Sequence, residues 1–217
     1  SVTIKNVDQS FVETIWKEVK KLTELDQNQP LPKINYLEDC YEFINPKCYA
    51  KELCDPEAER KRLEELKKNN KKEWKQCRKK IKSDALGIYY PHCQTISICL
   101  DNMNDYHWRW KLSPSNLSLN SKEEKAASYN TLGHEQLHHA LFLKGIPLRE
   151  HHQIMKDEKY LEKVIDKISV HFNLPLDGLQ KEISMKSLER GIRLDKENNN
   201  EIMGKDPLIE KCGAGND

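Results

Sequence analysis

Five of the chain's eight histidines fall within residues 129–155, in the stretch YNTLGHEQLHHALFLKGIPLREHHQIM. His134 and His138 stand four positions apart in a segment of helical composition, so their rings project from one face and can converge on a single ion. Glu135 lies beside that face. This H-E-x-x-H pattern predicts a site in which two imidazoles bind one Zn²⁺ ion and Glu135 takes a proton from the zinc-bound water. Hydrolysis of an amide bond is the chemistry that such a site favours.

The residues around the motif predict that its helix is buried. Apolar side chains at suitable positions are those of Leu132, Leu137, Leu141 and Phe142. Gly145 gives the helix a typical glycine stop, and Pro147 follows just beyond it. Leu141 stands where the extended H-E-x-x-H-x-x-G-x-x-H pattern requires glycine, so that subclass of zinc protein is disfavoured.

An open zinc site needs a third protein ligand, and the candidates follow a short turn. They are Glu150, His151 and His152, with Glu158 and Glu162 as alternatives on a later helix. We favour His151: if a helix starts there, its ring shares a face with Ile154 and Met155, which would turn it inward. His152 would then lie on a more exposed side. His139 points about 100° away from His138 and is expected in a supporting or surface position.

The remaining segments predict a protein of mixed helix and strand. Apolar residues at Phe11, Ile15, Val19 and Leu22 indicate an amphipathic helix. Asp55 and Pro56 suit the start of a long charged helix, or of two helices broken at Asn69 and Asn70. The segment TISICL, residues 95–100, alternates like a short strand, either alone or as half of a hairpin with the residues before it.

Seven cysteines are more than a cytosolic protein of this size usually carries, and no C-x-x-C pair is present. Their crowding predicts at least two disulfides, with partners expected among Cys40, Cys48, Cys54, Cys93 and Cys99. A secreted or extracytoplasmic protein is therefore expected; a cytoplasmic protein with ordinary thiols is the alternative. The absence of an initiator Met fits a mature form after signal removal, or a chain trimmed at its start. No apolar run is long enough to span a bilayer.

Three segments together resemble a known family. GIYYPHCQTISICL, then HEQLHHALFLKG, then REHHQIM are similar to the zincin metallopeptidases, most closely to their SprT/Spartan-like branch, over roughly residues 84–160. The resemblance implies an α+β, zincin-like fold, mostly helical, with a small mixed sheet packed on the H-E-x-x-H helix. It also implies that His134 and His138 are ligands, that Glu135 is the base, that His151 or His152 is the third ligand, and that TISICL is the strand that docks a peptide substrate.

We therefore expect residues 1–217 to form one zincin-like domain that hydrolyses peptide bonds. Residues 1–83 would be a helical, cysteine-rich N-terminal region, and residues 196–217 a loosely ordered tail. Candidate oxyanion stabilisers are Tyr89, Tyr90, Tyr129 and His107. Trp108 and Trp110 suit either a substrate-contacting rim or a cap on the core.

The alternative is a non-catalytic, zinc-stabilised binding module. Residues 67–82, KKNNKKEWKQCRKKIK, are rich in Lys and Arg and could contact a partner or nucleic acid, with Trp74 stacking on a base. A solvated helix face is the simpler interpretation of such a run. A net charge of +1 argues against attraction of nucleic acid by the protein as a whole.

Overall fold

A computed structural model of the chain describes residues 7–45, 48, 55–102, 121–173, 178–201 and 210–212. The helices are α1 (Gln9–Leu22), α2 (Pro56–Asn69), α3 (Lys71–Cys77), α4 (Ser121–Leu143), α5 (Leu148–Asp157), α6 (Tyr160–Phe172) and α7 (Gly178–Glu201). The strands are β1 (Lys33–Leu37), β2 (Tyr41–Phe43), β3 (Lys80–Lys82), β4 (Gly87–Tyr90), β5 (Thr95–Cys99) and β6 (Glu210–Cys212). His107, Trp108 and Trp110 lie outside the described residues.

Several helix ends follow from local chemistry. The Asp55 carboxylate accepts hydrogen bonds from the first backbone N–H groups of α2, and Pro56 occupies the first position, both as predicted. The charged run breaks at Asn70, which caps α3. Beyond the end of α4, Gly145 has a φ of +79°, a left-handed conformation that favours glycine.

Four strands form a mixed sheet in the order β1-β5-β4-β6. β4 and β5 make the antiparallel hairpin that the sequence suggested, with Tyr89 opposite Ile96. β1, which the sequence did not predict, pairs in parallel with β5. β2 and β3 form a separate antiparallel pair.

The two faces of the sheet contribute to different apolar clusters, because successive side chains of a strand point to opposite faces. Tyr89, Ile96 and Ile98 face α4 and pack in the main core, which also takes side chains from α1, α4, α5, α6 and α7. The smaller cluster contains Cys40, Ala85, Ile88, Tyr90 and Cys99. An α+β architecture, with a small mixed sheet against the helix that carries the motif, is therefore confirmed.

Disulfides join Cys40 to Cys99 and Cys48 to Cys77, and Cys93 is also disulfide-bonded. The prediction of at least two disulfides is confirmed, but Cys77 was not among the expected partners. Sequence spacing could not show this pairing, because the partners are 29 positions apart and only the fold brings α3 to Cys48. No helix in the described ranges is long and apolar enough to cross a membrane.

The C-terminal region contains more regular structure than the sequence indicated. α7 continues to Glu201, so residues 196–201 of the expected loose tail are helical. Further along, β6 adds a strand to the main sheet by pairing antiparallel with β4.

Candidate metal centre

Three histidines from two helices converge in the interior. His134 and His138 lie on α4 and His152 lies on α5, and one nitrogen from each ring lies within 4.8 Å of the other two. All three side chains are buried. Within the described part of the chain, the histidine, cysteine or acidic side chains that lie close enough, three or more together, to share a metal ion are these three histidines. Imidazole rings suit zinc and related divalent transition metals, so the residues present fit such an ion.

His134 provides a buried nitrogen whose bonding capacity is unused. Its Nε2 has no hydrogen-bond partner among the described residues. Burial, with a smaller contribution from nearby His152, lowers the pKa of His134 to about 3. The ring is therefore neutral at physiological pH, and a lone pair on a buried, neutral imidazole can bind a metal.

A chain of hydrogen bonds fixes the tautomer of His138. The Nε2 of His151 lies 2.8 Å from the carbonyl oxygen of Ile146, which can only accept, so His151 Nε2 carries the hydrogen. Burial lowers the pKa of His151 to about 4, so its other nitrogen is bare and accepts. That nitrogen lies 3.0 Å from His138 Nδ1, which must donate. Burial also keeps the pKa of His138 well below its usual value, so the ring is neutral and its Nε2 carries the lone pair, the form in which imidazole binds a metal.

His152 is oriented by a residue of α7. Its Nδ1 lies 2.8 Å from Asp195 Oδ2, so the ring donates to the carboxylate through Nδ1. Gly191, one turn before Asp195, lies directly against the same ring: a Cβ there would be 2.6 Å from His152 Nδ1. Such carboxylate–histidine pairs orient metal ligands in many sites. Neither Asp195 nor Gly191 was singled out from the sequence, since nothing local marks a residue 43 positions from His152 as its partner.

The third member of the group is therefore His152, whereas the sequence argument favoured His151. That argument started the helix at His151, but α5 begins at Leu148, directly after Pro147. It also treated the side of His152 and Lys156 as exposed. α7 covers that side, and Lys156 pairs with Glu189 of α7 at 3.6 Å. Both adjacent histidines are consequently buried, with His151 supporting His138.

Glu135 is fully buried next to the start of β4. A Cβ on Gly87 would lie 2.8 Å from both Cγ and Oε1 of Glu135, so only glycine leaves room for this carboxylate. The nearby charge of Glu135 adds to the effect of burial in raising the pKa of Tyr89 above its usual value. Tyr89 consequently keeps its phenolic hydrogen at physiological pH.

The other predicted residues occupy different surroundings. The Tyr89 hydroxyl lies 2.7 Å from His139 Nδ1, and both side chains are buried, so His139 is not a surface residue. Tyr129 Oη accepts the backbone N–H of Asp8 at 2.8 Å. Tyr90 packs in the smaller cluster on the other face of the sheet. Of the described candidate oxyanion stabilisers, Tyr89 is the one that packs beside a ring of the histidine group, since it stacks against His138 at a centroid distance of 6.4 Å.

Two further expectations are corrected by the arrangement. The acidic candidates Glu150, Glu158 and Glu162 are not part of the histidine group, and the first two are exposed. TISICL does not offer an edge to a peptide, because β5 lies between β1 and β4 and pairs with both.

The basic run 67–82 is not one helix. It includes the end of α2, all of α3 and the strand β3. The Trp74 ring is covered by this chain's own cations, with Lys67 Nζ 5.3 Å and Arg78 Cζ 4.7 Å from its centroid. Stacking of a nucleic-acid base on Trp74 would have to displace these cation–π contacts.

Comparisons with known proteins give no family assignment. No family model matches the chain. Neither the curated proteins nor the solved structures compared with it gave a match. What the site can do is therefore argued from its own geometry.

Proposed function

We propose that this chain is a zinc-dependent metallopeptidase that hydrolyses peptide bonds in a zincin-like fold. The observation that carries the proposal is the convergence of His134, His138 and His152 with Glu135 on the same helix as the first two. Three histidines, rather than four protein ligands, are typical of catalytic zinc sites, which keep one position open. The order of the three motifs, which resembles that of the SprT/Spartan-like branch, is in line with the same proposal.

In this mechanism, Zn²⁺ held by the three histidines would polarise the substrate carbonyl and lower the pKa of a bound water to about 7. Glu135 removes a proton from the attacking water and later delivers it to the nitrogen of the leaving amine. Gly87 gives the carboxylate the space it needs beside β4. The hydrogen bonds from His138 to His151 and from His152 to Asp195 keep the ligand rings in fixed orientations.

The disulfides support action in an oxidising compartment, because such bonds persist mainly in secreted and extracytoplasmic proteins. A secreted peptidase is therefore our working assignment. The substrate partner is a protein or peptide.

The function is tested with fluorescein-labelled unfolded casein as probe. Purified protein is stripped of metal with a chelator, reloaded with one equivalent of Zn²⁺, and assayed for casein cleavage beside the Glu135→Gln variant. We expect cleavage that requires zinc and is lost in the variant. Stoichiometric zinc binding without cleavage by either protein would contradict the proposal.

The same preparation separates a catalytic ion from a structural one. A catalytic zinc is dispensable for folding, so chelation should leave the circular dichroism spectrum of the folded chain unchanged at 25 °C. A structural zinc supplies folding free energy, and its removal unfolds the protein. Unfolding on chelation would favour the alternative of a zinc-stabilised binding module.

A further inference from the structure

β4 is the strand next to the proposed general base. Its first residue, Gly87, lies so close to Glu135 that a Cβ would be 2.8 Å from Oε1. Tyr89, two residues along the same face, stacks against His138. The side of β4 that faces α4 therefore runs beside Glu135 and one of the metal-binding histidines.

The outer edge of β4 is already paired. β5 takes one edge of the strand, and β6 takes the other in antiparallel orientation, with Cys212 opposite Gly87, Lys211 opposite Ile88 and Glu210 opposite Tyr89. β6 also contacts α4. A segment of this chain more than 100 positions from Gly87 thus lies along the strand beside Glu135.

Position and chemistry make this edge suitable for an extended peptide. Proteins commonly bind such peptides by adding a strand to a sheet edge, where backbone hydrogen bonds give affinity with little dependence on sequence. β5 has no edge to offer, and the outer edge of β1 is separated from β4 by β5. β4 is the strand whose first residue packs against Glu135, so a peptide bound along its outer edge would lie on the strand next to the proposed base.

We propose that the outer edge of β4 is the docking edge for an extended peptide substrate, and that β6 occupies it and competes with substrate. This inference rests on the proposed function. A strand of three residues makes few backbone hydrogen bonds, so it can separate from β4 while the rest of the fold is kept. β6 then acts as a built-in inhibitor whose release opens the site.

The experiment compares two double variants of the full zinc-loaded chain. Glu210→Pro with Lys211→Pro removes two consecutive backbone N–H groups. Consecutive residues of a strand direct their N–H groups to opposite edges, so one of the two groups removed points toward β4. Glu210→Ala with Lys211→Ala removes the same side chains and keeps the backbone donors. Zinc affinity and melting temperature are measured for both variants and for the parent.

Casein cleavage should be about threefold to tenfold faster in the proline variant than in the alanine variant. Loss of about one net backbone hydrogen bond should raise the fraction of molecules in which β6 has separated from β4 by about this factor. Equal or slower cleavage with unchanged zinc affinity would overturn the inference and leave the proposed function intact.

A second measurement does not depend on turnover. Each pair of substitutions is placed in the Glu135→Gln background, and binding of labelled casein is measured by fluorescence anisotropy. Tighter binding by the proline variant supports competition by β6, and equal binding overturns it, whether or not the parent cleaves casein.

Discussion

The Nδ1 atoms of His138 and His151 lie 3.0 Å apart and share one hydrogen. Because the Nε2 of His151 is committed to the carbonyl of Ile146, His151 has no nitrogen left for an ion while these bonds persist. His151 supports His138, and His152, the next residue along the chain, completes the group with His134 and His138. This division of roles between neighbours can be measured.

Replacing His152 by Ala should lower zinc affinity much more than replacing His151 by Ala. Loss of a supporting hydrogen bond typically costs 10- to 100-fold in metal affinity, so we expect His151→Ala within that range and His152→Ala beyond about 100-fold. Competition with a chromogenic chelator measures both constants. The opposite ranking would restore His151 as the third ligand.

Glu135→Gln should leave zinc bound while turnover falls by at least about 100-fold, the low end of the contribution of a positioned acid–base group. The amide matches the carboxylate in shape but cannot accept the proton. Zinc content by mass spectrometry and casein cleavage are measured on the same samples. Loss of metal together with activity would identify Glu135 as a ligand or structural residue instead.

Asp195→Ala should weaken zinc binding by about 10- to 100-fold, because it removes the acceptor that orients His152. Asp195→Asn should have a smaller effect, since its amide oxygen can still accept the hydrogen bond. Glu189→Gln is the matched control on α7, where the substituted group pairs with Lys156 near the surface. If all three variants bind zinc like the parent, Asp195 does not position the ligand.

Removing the Cys40–Cys99 bond by a double Ala substitution should lower the free energy of unfolding by about 4 kcal/mol, and removing Cys48–Cys77 by about 3.5 kcal/mol. These values follow from the loop lengths of 59 and 29 positions in the chain-entropy treatment. Urea denaturation measures both. Zinc affinity should be retained without Cys48–Cys77, because this bond joins α3 to a segment outside the histidine group. A lower zinc affinity in this variant would contradict the placement of the site on α4 and α5.

The metal-free protein should lose stability as the pH falls from 7 to 5. In the folded state, burial lowers the pKa of His134 to about 3 and of His139 and His151 to about 4, whereas each titrates near 6.5 when unfolded. Between these values the unfolded chain binds more protons, so stability rises with pH. At pH 5, unfolding should take up about one proton for each such histidine. Melting temperatures in chelator at several pH values test this, and a flat profile from pH 7 to 5 would contradict it.

Sequence alone determined the features that depend on local chemistry. The spacing of His134 and His138 placed both rings on one helix face, and the glycine at 145 ended that helix. Alternation in residues 95–99 predicted β5, and Asp55 with Pro56 predicted the start of α2. Each of these depends on interactions within a few residues, which a sequence pattern records directly.

Only the tertiary structure decided which of two adjacent histidines lies close to His134 and His138. The choice depends on α7, which brings Asp195 and Gly191 against His152 from about 40 positions away and covers a side of α5 that the sequence left exposed. The position of β5 inside the sheet was likewise decided by tertiary structure, through the parallel pairing of β5 with β1. Such contacts join segments that are distant in the chain, and helical or strand periodicity shows which face of an element is buried but not what covers it.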